Sequence, residues 1–405
     1  MLFDLWGMLR LKKTDYVVKT DTSARAEIRS GLYEDIHYDG LLLALGHCYK
    51  IEGINNPDLF ARGKKALIKT NITTTTPDIL ARWLARLDPR AEISPLARDL
   101  SRHIRDNLHL DKYTPEFVTE ILQKFYYLKK IYFSMFKLIR PAFLFINSPG
   151  DYHMVAAAKE LGLKVVEFQH GFLSRNYPGH SWSTYALPYK SRMPLADRIF
   201  LYGDYWLGEM AANGFYREEL RSVGSLRVDH YLKQEQLSED DICTLLLTTQ
   251  GTDTDRLIAW VSEFLDAIQG NLPYRLYIKM HPNYDTSLDK YETAFGANKN
   301  VVIVPPVSSL STFELLKRSH FHLSMYSTCH YEALGLGVPT IVLPLAGHET
   351  VKYLYQNGHA FLPKSPQDLA EYVGEWKSRS VSQEVREHYF RTNAVENMKT
   401  EMGKL

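Results

Sequence analysis

The sequence predicts an α/β protein with two doubly wound domains. From residue 142 onward, short apolar segments typical of buried strands alternate with amphipathic segments typical of helices. They form two runs, and the polar stretch 229–241 between them is typical of a linker. Strands and helices alternating at this spacing form parallel sheets with helices on both faces. We therefore predict two Rossmann-like domains that face each other across a cleft.

The length and composition of the chain limit the classes of protein to which it can belong. The chain has 405 residues, which is long for one core and sufficient for two domains. A net charge of +1 does not favour a nucleic-acid-binding protein. The three cysteines (Cys48, Cys243 and Cys329) form no CxxC pair and have no metal-ligand spacing. Without an apolar run of membrane-spanning length or a signal-peptide cleavage region, we expect a cytoplasmic protein.

Residues 1–110 give the weakest pattern, apart from a capped helix that we expect to begin near Thr76, Pro77 and Asp78. A long amphipathic helix is predicted over 115–140, where lysines alternate with aromatic residues. Such a helix is consistent with peripheral contact at an anionic inner membrane or with a core helix whose charges are solvated. The spread of aromatic residues around the helix favours the core interpretation.

The stretch 276–343 contains the clearest candidate site. One predicted strand ends in Lys279 and His281, and a later unit reads strand, Ser327-Thr328, short helix, glycine, proline, strand. A helix N-terminus with two hydroxyls suits a phosphate, and Glu332 one turn further along could reach a ribose. Strand ends of open α/β sheets meet in one crevice, where ligands bind. An ordinary αβ unit without a ligand site would show the same Ser/Thr, glycine and proline signals between its strands and helix. The interpretation as a plain structural unit therefore stays open.

Four motifs in order carry a resemblance to a known family: QHG at 169–171, GSLRVD at 224–229, KMHP at 279–282 and STCHYEALGLGVPT at 327–340. The region 142–380 resembles GT-B-fold glycosyltransferases that use nucleotide-monophosphate-activated donors. It is most similar to the retaining β-Kdo transferases of bacterial capsule and O-antigen assembly, which use CMP-Kdo. Bacterial sialyltransferases and the CDP-glycerol glycerophosphotransferases share parts of the pattern.

The resemblance implies a donor site. His281, with Pro282 fixing the turn, is similar to the histidine of the family's HP motif, which contacts the donor phosphate or nucleotide. Ser327 and Thr328 resemble the phosphate-binding hydroxyls, and Glu332 resembles the acid that holds the ribose. The implied domains are an acceptor-side N-terminal domain with helical additions (1–228), a nucleotide-sugar-binding domain (229–380) and a helical tail (381–405).

Asp229 resembles the interdomain aspartate that acts as nucleophile in the retaining β-Kdo transferases. Retention is most simply achieved by two displacements, and an aspartate at a strand end could reach the anomeric carbon. Arg227 could pair with Asp229 or with the Kdo carboxylate. Asp229 as the N-cap of the following helix is an equally weighted alternative.

Further candidates follow other predicted strands. His170 could face the acceptor or the leaving phosphate, and Asp151 could act as general base, although local backbone contacts and helix capping are the commoner roles. Gln250 and Gly251 occupy the position of the loop that approaches the donor phosphate in GT-B enzymes. Because no DxD pair stands at a strand end, we expect no metal and no cofactor beyond the CMP-sugar.

We predict a glycosyltransferase that transfers Kdo from CMP-Kdo to a glycan acceptor with retention, alone or together with other glycosyltransferases. Three alternatives remain open. One is a transferase of another CMP- or CDP-activated donor such as sialic acid or glycerol phosphate. The others are a non-catalytic nucleotide- or carbohydrate-binding module and a UDP-sugar epimerase.

Overall fold

The structure is a computed structural model that describes residues 2–29, 31–60, 65–88, 94–235, 241–308 and 310–405. The strands are β1 (Tyr16–Asp21), β2 (Arg25–Arg29), β3 (Leu32–Asp35), β4 (Cys48–Gly53), β5 (Lys65–Ala66), β6 (Ile72–Thr73), β7 (Phe143–Ile146), β8 (Lys164–Phe168), β9 (Arg198–Leu201), β10 (Leu220–Ser222), β11 (Cys243–Thr248), β12 (Tyr274–Lys279), β13 (Val301–Val304), β14 (Phe321–Ser324), β15 (Thr340–Val342) and β16 (Ala360–Phe361). The α-helices are α1 (Leu2–Leu9), α2 (Asp39–Leu45), α3 (Thr75–Leu87), α4 (Pro95–Leu108), α5 (Pro115–Ile139), α6 (Tyr152–Glu160), α7 (Asp204–Ala211), α8 (Leu226–Leu232), α9 (Thr254–Ile268), α10 (Leu288–Phe295), α11 (Thr312–Leu316), α12 (Cys329–Gly335), α13 (Lys352–Gln356), α14 (Pro366–Gly374), α15 (Gln383–Tyr389) and α16 (Ala394–Met402).

The chain divides into two compact units, as the prediction of two domains requires. Unit 1 comprises Met1–Leu201, Trp206–Leu226 and Ala394–Leu405, and unit 2 comprises Tyr202–Tyr205 and Arg227–Asn393. The segment predicted as one tail is therefore divided, since α15 belongs to unit 2 and α16 to unit 1. Of the predicted linker 229–241, residues 236–240 lie outside the described residues.

The sheet of unit 1 has the order β10-β9-β8-β7-β1-β4-β6 in the described residues, and all of its neighbouring strands are parallel. From the centre, the chain proceeds through β4 and β6 to one side and later through β8, β9 and β10 to the other. The direction reverses between β1 and β7, so the carboxyl ends of these two strands form a topological switch point. A small sheet of β2, β3 and β5 lies apart from it.

The sheet of unit 2 repeats this arrangement. Its order in the described part of the chain is β13-β12-β11-β14-β15-β16, again all parallel. The switch point here lies between β11 and β14. Strand β11 is buried along its whole length, as expected for the centre of a sheet covered on both faces. The α/β prediction is confirmed.

Two helix predictions can be compared with the structure. Helix α3 begins at Thr75, and the Thr76 hydroxyl does not cap it but donates to Asp4 at 2.7 Å. Helix α5 buries Leu128, Tyr132 and Phe136, as the core interpretation predicts, and membrane contact of this helix stays a prediction. Among the described residues, no helix is long and apolar enough to cross a membrane.

Candidate functional site

A cavity of about 260 Å³ lies at the carboxyl ends of β11, β12 and β14 in unit 2. It occupies the switch point of this sheet, where open α/β sheets bind ligands. Its lining residues come from four segments, three of which contain residues that the sequence analysis singled out: Thr248, Thr249, Gln250, Lys279, Met280, His281, Pro282, Thr312, Tyr326, Ser327, Thr328 and Cys329. The structure thus brings together Gln250, the HP segment and the Ser-Thr pair, whose ligand contacts stay predictions.

The HP segment fixes the tautomer of His281. Its Nδ1 accepts hydrogen bonds from the backbone N–H groups of Asn283 (3.1 Å) and Tyr284 (3.2 Å). Burial lowers the pKa of His281 below its ordinary value, and the ring stacks on Tyr284 with centroids 4.6 Å apart. A neutral imidazole that accepts through Nδ1 carries its proton on Nε2. His281 therefore presents a neutral hydrogen-bond donor.

Lys279 supplies the cation of the cavity. The side chain is buried, and Nζ donates to the carbonyl oxygen of Pro305 at 3.0 Å, which leaves further ammonium protons for a ligand. Burial lowers the pKa of Lys279. Because no aspartate or glutamate is among the described lining residues, the cavity favours an anion.

The Ser327-Thr328 pair lies at the start of α12, and its two side chains differ in exposure and in hydrogen bonding. Ser327 is buried and its Oγ accepts from the backbone N–H of Cys329 at 3.2 Å. Thr328 is the N-cap residue, but its side chain makes no capping hydrogen bond and is exposed. The Thr328 hydroxyl is consequently available to a ligand, whereas the Ser327 hydroxyl can donate while it accepts from the backbone.

Glu332 and Gly251 do not line this cavity in the described residues. Burial raises the pKa of Glu332, while the Arg227 charge and a hydrogen bond from the Cys329 thiol oppose this rise. Gly251 has φ +69°, and a Cβ there would lie 2.1 Å from the carbonyl oxygen of Tyr284. Glycine is required at this position because the loop touches the HP segment.

Asp229 was predicted to lie at a strand end or to be the N-cap of a helix. In the structure it is neither. Strand β10 ends at Ser222, and the chain enters α8 at Leu226, so Asp229 lies in the first turn of that helix. Helix α8 packs on α11 through stacking of the Arg227 guanidinium on Phe313 at 4.0 Å.

Helix α8 is connected to the cavity through α11, the helix on which it packs. Tyr231 of α8 packs on Phe313 of α11 with ring centroids 5.0 Å apart, and Thr312 of the same helix lines the cavity. Arg227 lies close enough to Glu332 for its charge to affect the glutamate pKa. Arg227 thus contacts Phe313 and acts on Glu332, and its predicted pairing with Asp229 or with the Kdo carboxylate stays a prediction.

His170 and Asp151 belong to unit 1, where they follow β8 and β7. Asp151 is buried, and its carboxylate lies 3.5 Å from Lys19 Nζ. Burial raises the pKa of Asp151 to about 6, against the opposing charge of Lys19. Burial lowers the pKa of His170, whose Nε2 is 3.5 Å from the Tyr177 hydroxyl. Within the described residues Asp151 caps no helix through its side chain.

Sequence reasoning missed several residues of the cavity. Thr249 accepts from the backbone N–H of His281 at 3.4 Å and donates to Asp285, which also accepts from Tyr291 at 3.1 Å. This buried network fixes the HP turn against the end of β11. The signal was the pair of threonines, Thr248 and Thr249, that ends the apolar run Leu245–Leu247 of β11. Tyr326 lies on the strand-to-helix connection and shares a hydrogen bond of 2.6 Å with Thr252.

Comparison with known proteins identifies the fold. No family model and no curated protein matches the sequence. Among solved structures, UDP-GlcNAc 2-epimerase from Neisseria meningitidis, bound to UDP-GlcNAc, is 14% identical and matches 96% of this chain and 100% of that chain with a TM-score of 0.56. UDP-GlcNAc 2-epimerase from Methanocaldococcus jannaschii is 14% identical over 97% of this chain and 100% of that chain, also with a TM-score of 0.56. The glycotransferase of kitacinnamycin is 12% identical over 96% and 99%, with a TM-score of 0.51.

These likenesses show a GT-B fold, which confirms the fold class implied by the resemblance. At such low identities they show the fold alone. The Kdo specificity stays a prediction.

Proposed function

We propose that this chain is a glycosyltransferase that binds the nucleotide of a CMP-activated sugar in the cavity of unit 2. The observation that carries the proposal is the composition of that cavity. Hydroxyl, amide, imidazole and ammonium groups meet at a switch point, and no carboxylate is among the described lining residues. Lys279 and the Nε2–H of His281 would bind the phosphate, with the Ser327 and Thr328 hydroxyls beside it.

The donor we favour is CMP-Kdo, with a glycan of a bacterial surface polysaccharide as acceptor. The support is the order of the four motifs together with an anion-favouring cavity. In the first step the Asp229 carboxylate would attack the anomeric carbon, and the bond to the CMP phosphate oxygen would break. In the second step an acceptor hydroxyl would displace Asp229 and give its proton to a base.

The first test is the rise in melting temperature on adding CMP, CDP, UDP, UMP or GDP, with and without EDTA. A ligand that binds only the folded state raises the melting temperature by mass action. We expect CMP to rank first and EDTA to change nothing. The largest rise with UDP or GDP would contradict the donor assignment, and no rise with any nucleotide would favour a module that binds carbohydrate without catalysis.

The nucleophile is tested separately with Asp229→Asn. We expect this variant to retain CMP binding and lose transfer, and a slowed enzyme should accumulate an Asp229 adduct with the mass of one sugar. Asp266→Asn, at an exposed helical aspartate of the same unit, is the matched control. Inverted product stereochemistry, or full transfer by Asp229→Asn, would contradict the two-step mechanism.

A sugar-nucleotide epimerase is the second candidate, favoured by the buried carboxylates of unit 1. Asp151, with a pKa of about 6, and Glu167, paired with His180 at 2.8 Å, are groups suited to moving protons. Such an enzyme would convert UDP-GlcNAc without an acceptor and exchange a carbon-bound proton with deuterated water. Absence of exchange in NMR spectra would eliminate this candidate.

A further inference from the structure

Helices α1 and α3 of unit 1 are fixed to each other by a buried carboxylate. Asp4 of α1 accepts hydrogen bonds from the Thr73 backbone N–H at 2.6 Å, the Thr73 hydroxyl at 2.7 Å and the Thr76 hydroxyl at 2.7 Å. Thr76 lies in the first turn of α3. The two helices therefore move as one body at this point, and any surface that they share is preorganised.

The solvent-facing sides of these helices are apolar. On α1 the exposed residues Phe3, Trp6 and Leu9 repeat every third position, and on α3 the exposed residues Ile79, Trp83 and Leu87 repeat every fourth. Trp6 is 56% exposed and Trp83 is 58% exposed. Exposed apolar side chains grouped in this way mark an interaction surface, whereas scattered ones do not. We call these six residues, with the cations beside them, the α1–α3 face.

Cations outnumber acids at the α1–α3 face, where Asp78 of α3 is paired with Lys124 at 3.4 Å and the exposed Asp15 follows α1. Exposed cations follow α1 and interleave with the apolar residues of α3: Arg10, Lys12, Lys13, Arg82 and Arg86. Residues 1–13 and 79–87 contain no acid except the buried Asp4. Within the described residues none of the five cations is ion-paired, and the Arg10 guanidinium lies 3.8 Å from the Trp6 ring centre.

We infer that the α1–α3 face docks the protein onto a membrane surface rich in anionic lipid. Tryptophan prefers the boundary between headgroups and acyl chains, and arginine binds lipid phosphate. A second copy of the chain fits poorly, because a symmetric interface would set these cations against themselves. The sequence left membrane contact open for α5 but favoured a core helix, and α5 buries one side with Leu128, Tyr132 and Phe136 while it exposes apolar residues such as Phe117 and Ile121.

The test is co-sedimentation with vesicles of phosphatidylcholine alone or of phosphatidylcholine mixed with phosphatidylglycerol. We expect binding to the mixed vesicles only, weakened by salt. Each basic residue near such a surface is worth about fivefold in affinity, so Arg82→Gln with Arg86→Gln should weaken binding about 25-fold. Trp83→Ser should also weaken it, and Trp83 fluorescence should be quenched by brominated lipid.

The matched control replaces Arg98 and Arg102, two exposed arginines at the same spacing on α4, with glutamine. This control should bind like the unmodified protein, and all variants should keep its melting temperature. Absence of binding to mixed vesicles, or equal weakening by the α4 control, would overturn the inference. Concentration-dependent dimers in sedimentation velocity that Trp83→Ser abolishes would also overturn it and make the face an interface between copies.

Discussion

At the carboxyl ends of their central strands, unit 1 presents carboxylates whereas unit 2 presents hydroxyls and basic groups. In unit 1, Lys19 of β1 lies between Asp21 (2.9 Å) and Asp151 (3.5 Å). In unit 2, the residues at the ends of β11 and β12 are Thr248 and Lys279, which are neighbours in the sheet register. The two sheets have the same kind of topology, but the groups at their switch points differ: carboxylates in unit 1, hydroxyls and basic groups in unit 2. The two switch points therefore suit different ligands.

The difference continues into the core. Unit 1 buries charges in the strands themselves, among them Lys50 of β4 with Asp35 and Asp39, and the pair formed by Arg25 and Glu52. The equivalent β11 of unit 2 contains no charged residue. We infer that the charges of unit 1 are part of its framework, whereas Lys279, His281 and Thr328 of the unit 2 cavity keep donors that a ligand can use.

The largest effect is expected for Lys50→Met. Lys50 is fully buried 3.3 Å from Asp39 and 3.5 Å from Asp35, so its loss leaves two carboxylates in the core without their cation. Removing one partner of a buried ion pair costs about 3–5 kcal/mol of unfolding free energy. Urea denaturation measures this loss of unfolding free energy. The control is Lys290→Met, because the ion pair of Lys290 with Asp255 is exposed. If Lys50→Met lost no more unfolding free energy than the control, the buried charges of unit 1 would not be part of its framework.

A smaller effect is expected from the titration of Asp151. Its pKa is raised to about 6 in the folded state, so the folded state keeps the proton to a higher pH than the unfolded state. Its contribution to stability is present below about pH 4 and is lost as the pH rises to about 6, by about 2–3 kcal/mol. Asp151→Asn should flatten this part of the stability profile, although Asp39, also with a pKa of about 6, keeps its own contribution.

Asp266→Asn, at an exposed position, should leave the profile of the unmodified protein unchanged. An Asp151→Asn profile that superposes on that of the unmodified protein between pH 4 and 6 would show that Lys19 outweighs burial at this carboxylate.

The smallest effect concerns the two nitrogens of His281. Asparagine can imitate Nδ1 and keep the hydrogen bonds from Asn283 and Tyr284, while glutamine can imitate the Nε2–H donor. We expect His281→Asn to fold normally and to lose about 1 kcal/mol of CMP binding, or about fivefold in affinity. His281→Gln should bind more tightly than His281→Asn in calorimetry. The reverse order would show that His281 supports the turn and does not contact the ligand.

The sequence predicted unit 2 better than unit 1 for a physical reason. Strands β11 and β12 are mostly apolar and end in polar residues, so the cavity residues Gln250, Lys279 and His281 could be placed at strand ends. Strands β1 and β4 contain buried Lys19, Lys50 and Glu52, and these charges hid the strands from a hydrophobic pattern. The partners that make such burial possible are distant in sequence and could not be identified from it.

The misplacement of Asp229 has a different cause. The segment from Leu220 to Leu232 holds a strand of three residues and a helix of seven, both too short for periodicity to separate them. The exposure of Trp83 and the interleaved arginines was likewise beyond sequence reasoning, because an amphipathic helix shows two faces without showing which one is covered.

Helix α16 sets the order in which the protein can be completed during synthesis. Its Ala394, Met398 and Met402 belong to the same buried cluster as Val18 and Tyr38 of unit 1, although the whole of unit 2 separates them along the chain. On the ribosome, unit 2 emerges with all its strands before unit 1 has received its last helix. This buried cluster of unit 1 is therefore completed only after the whole of unit 2 has been synthesised.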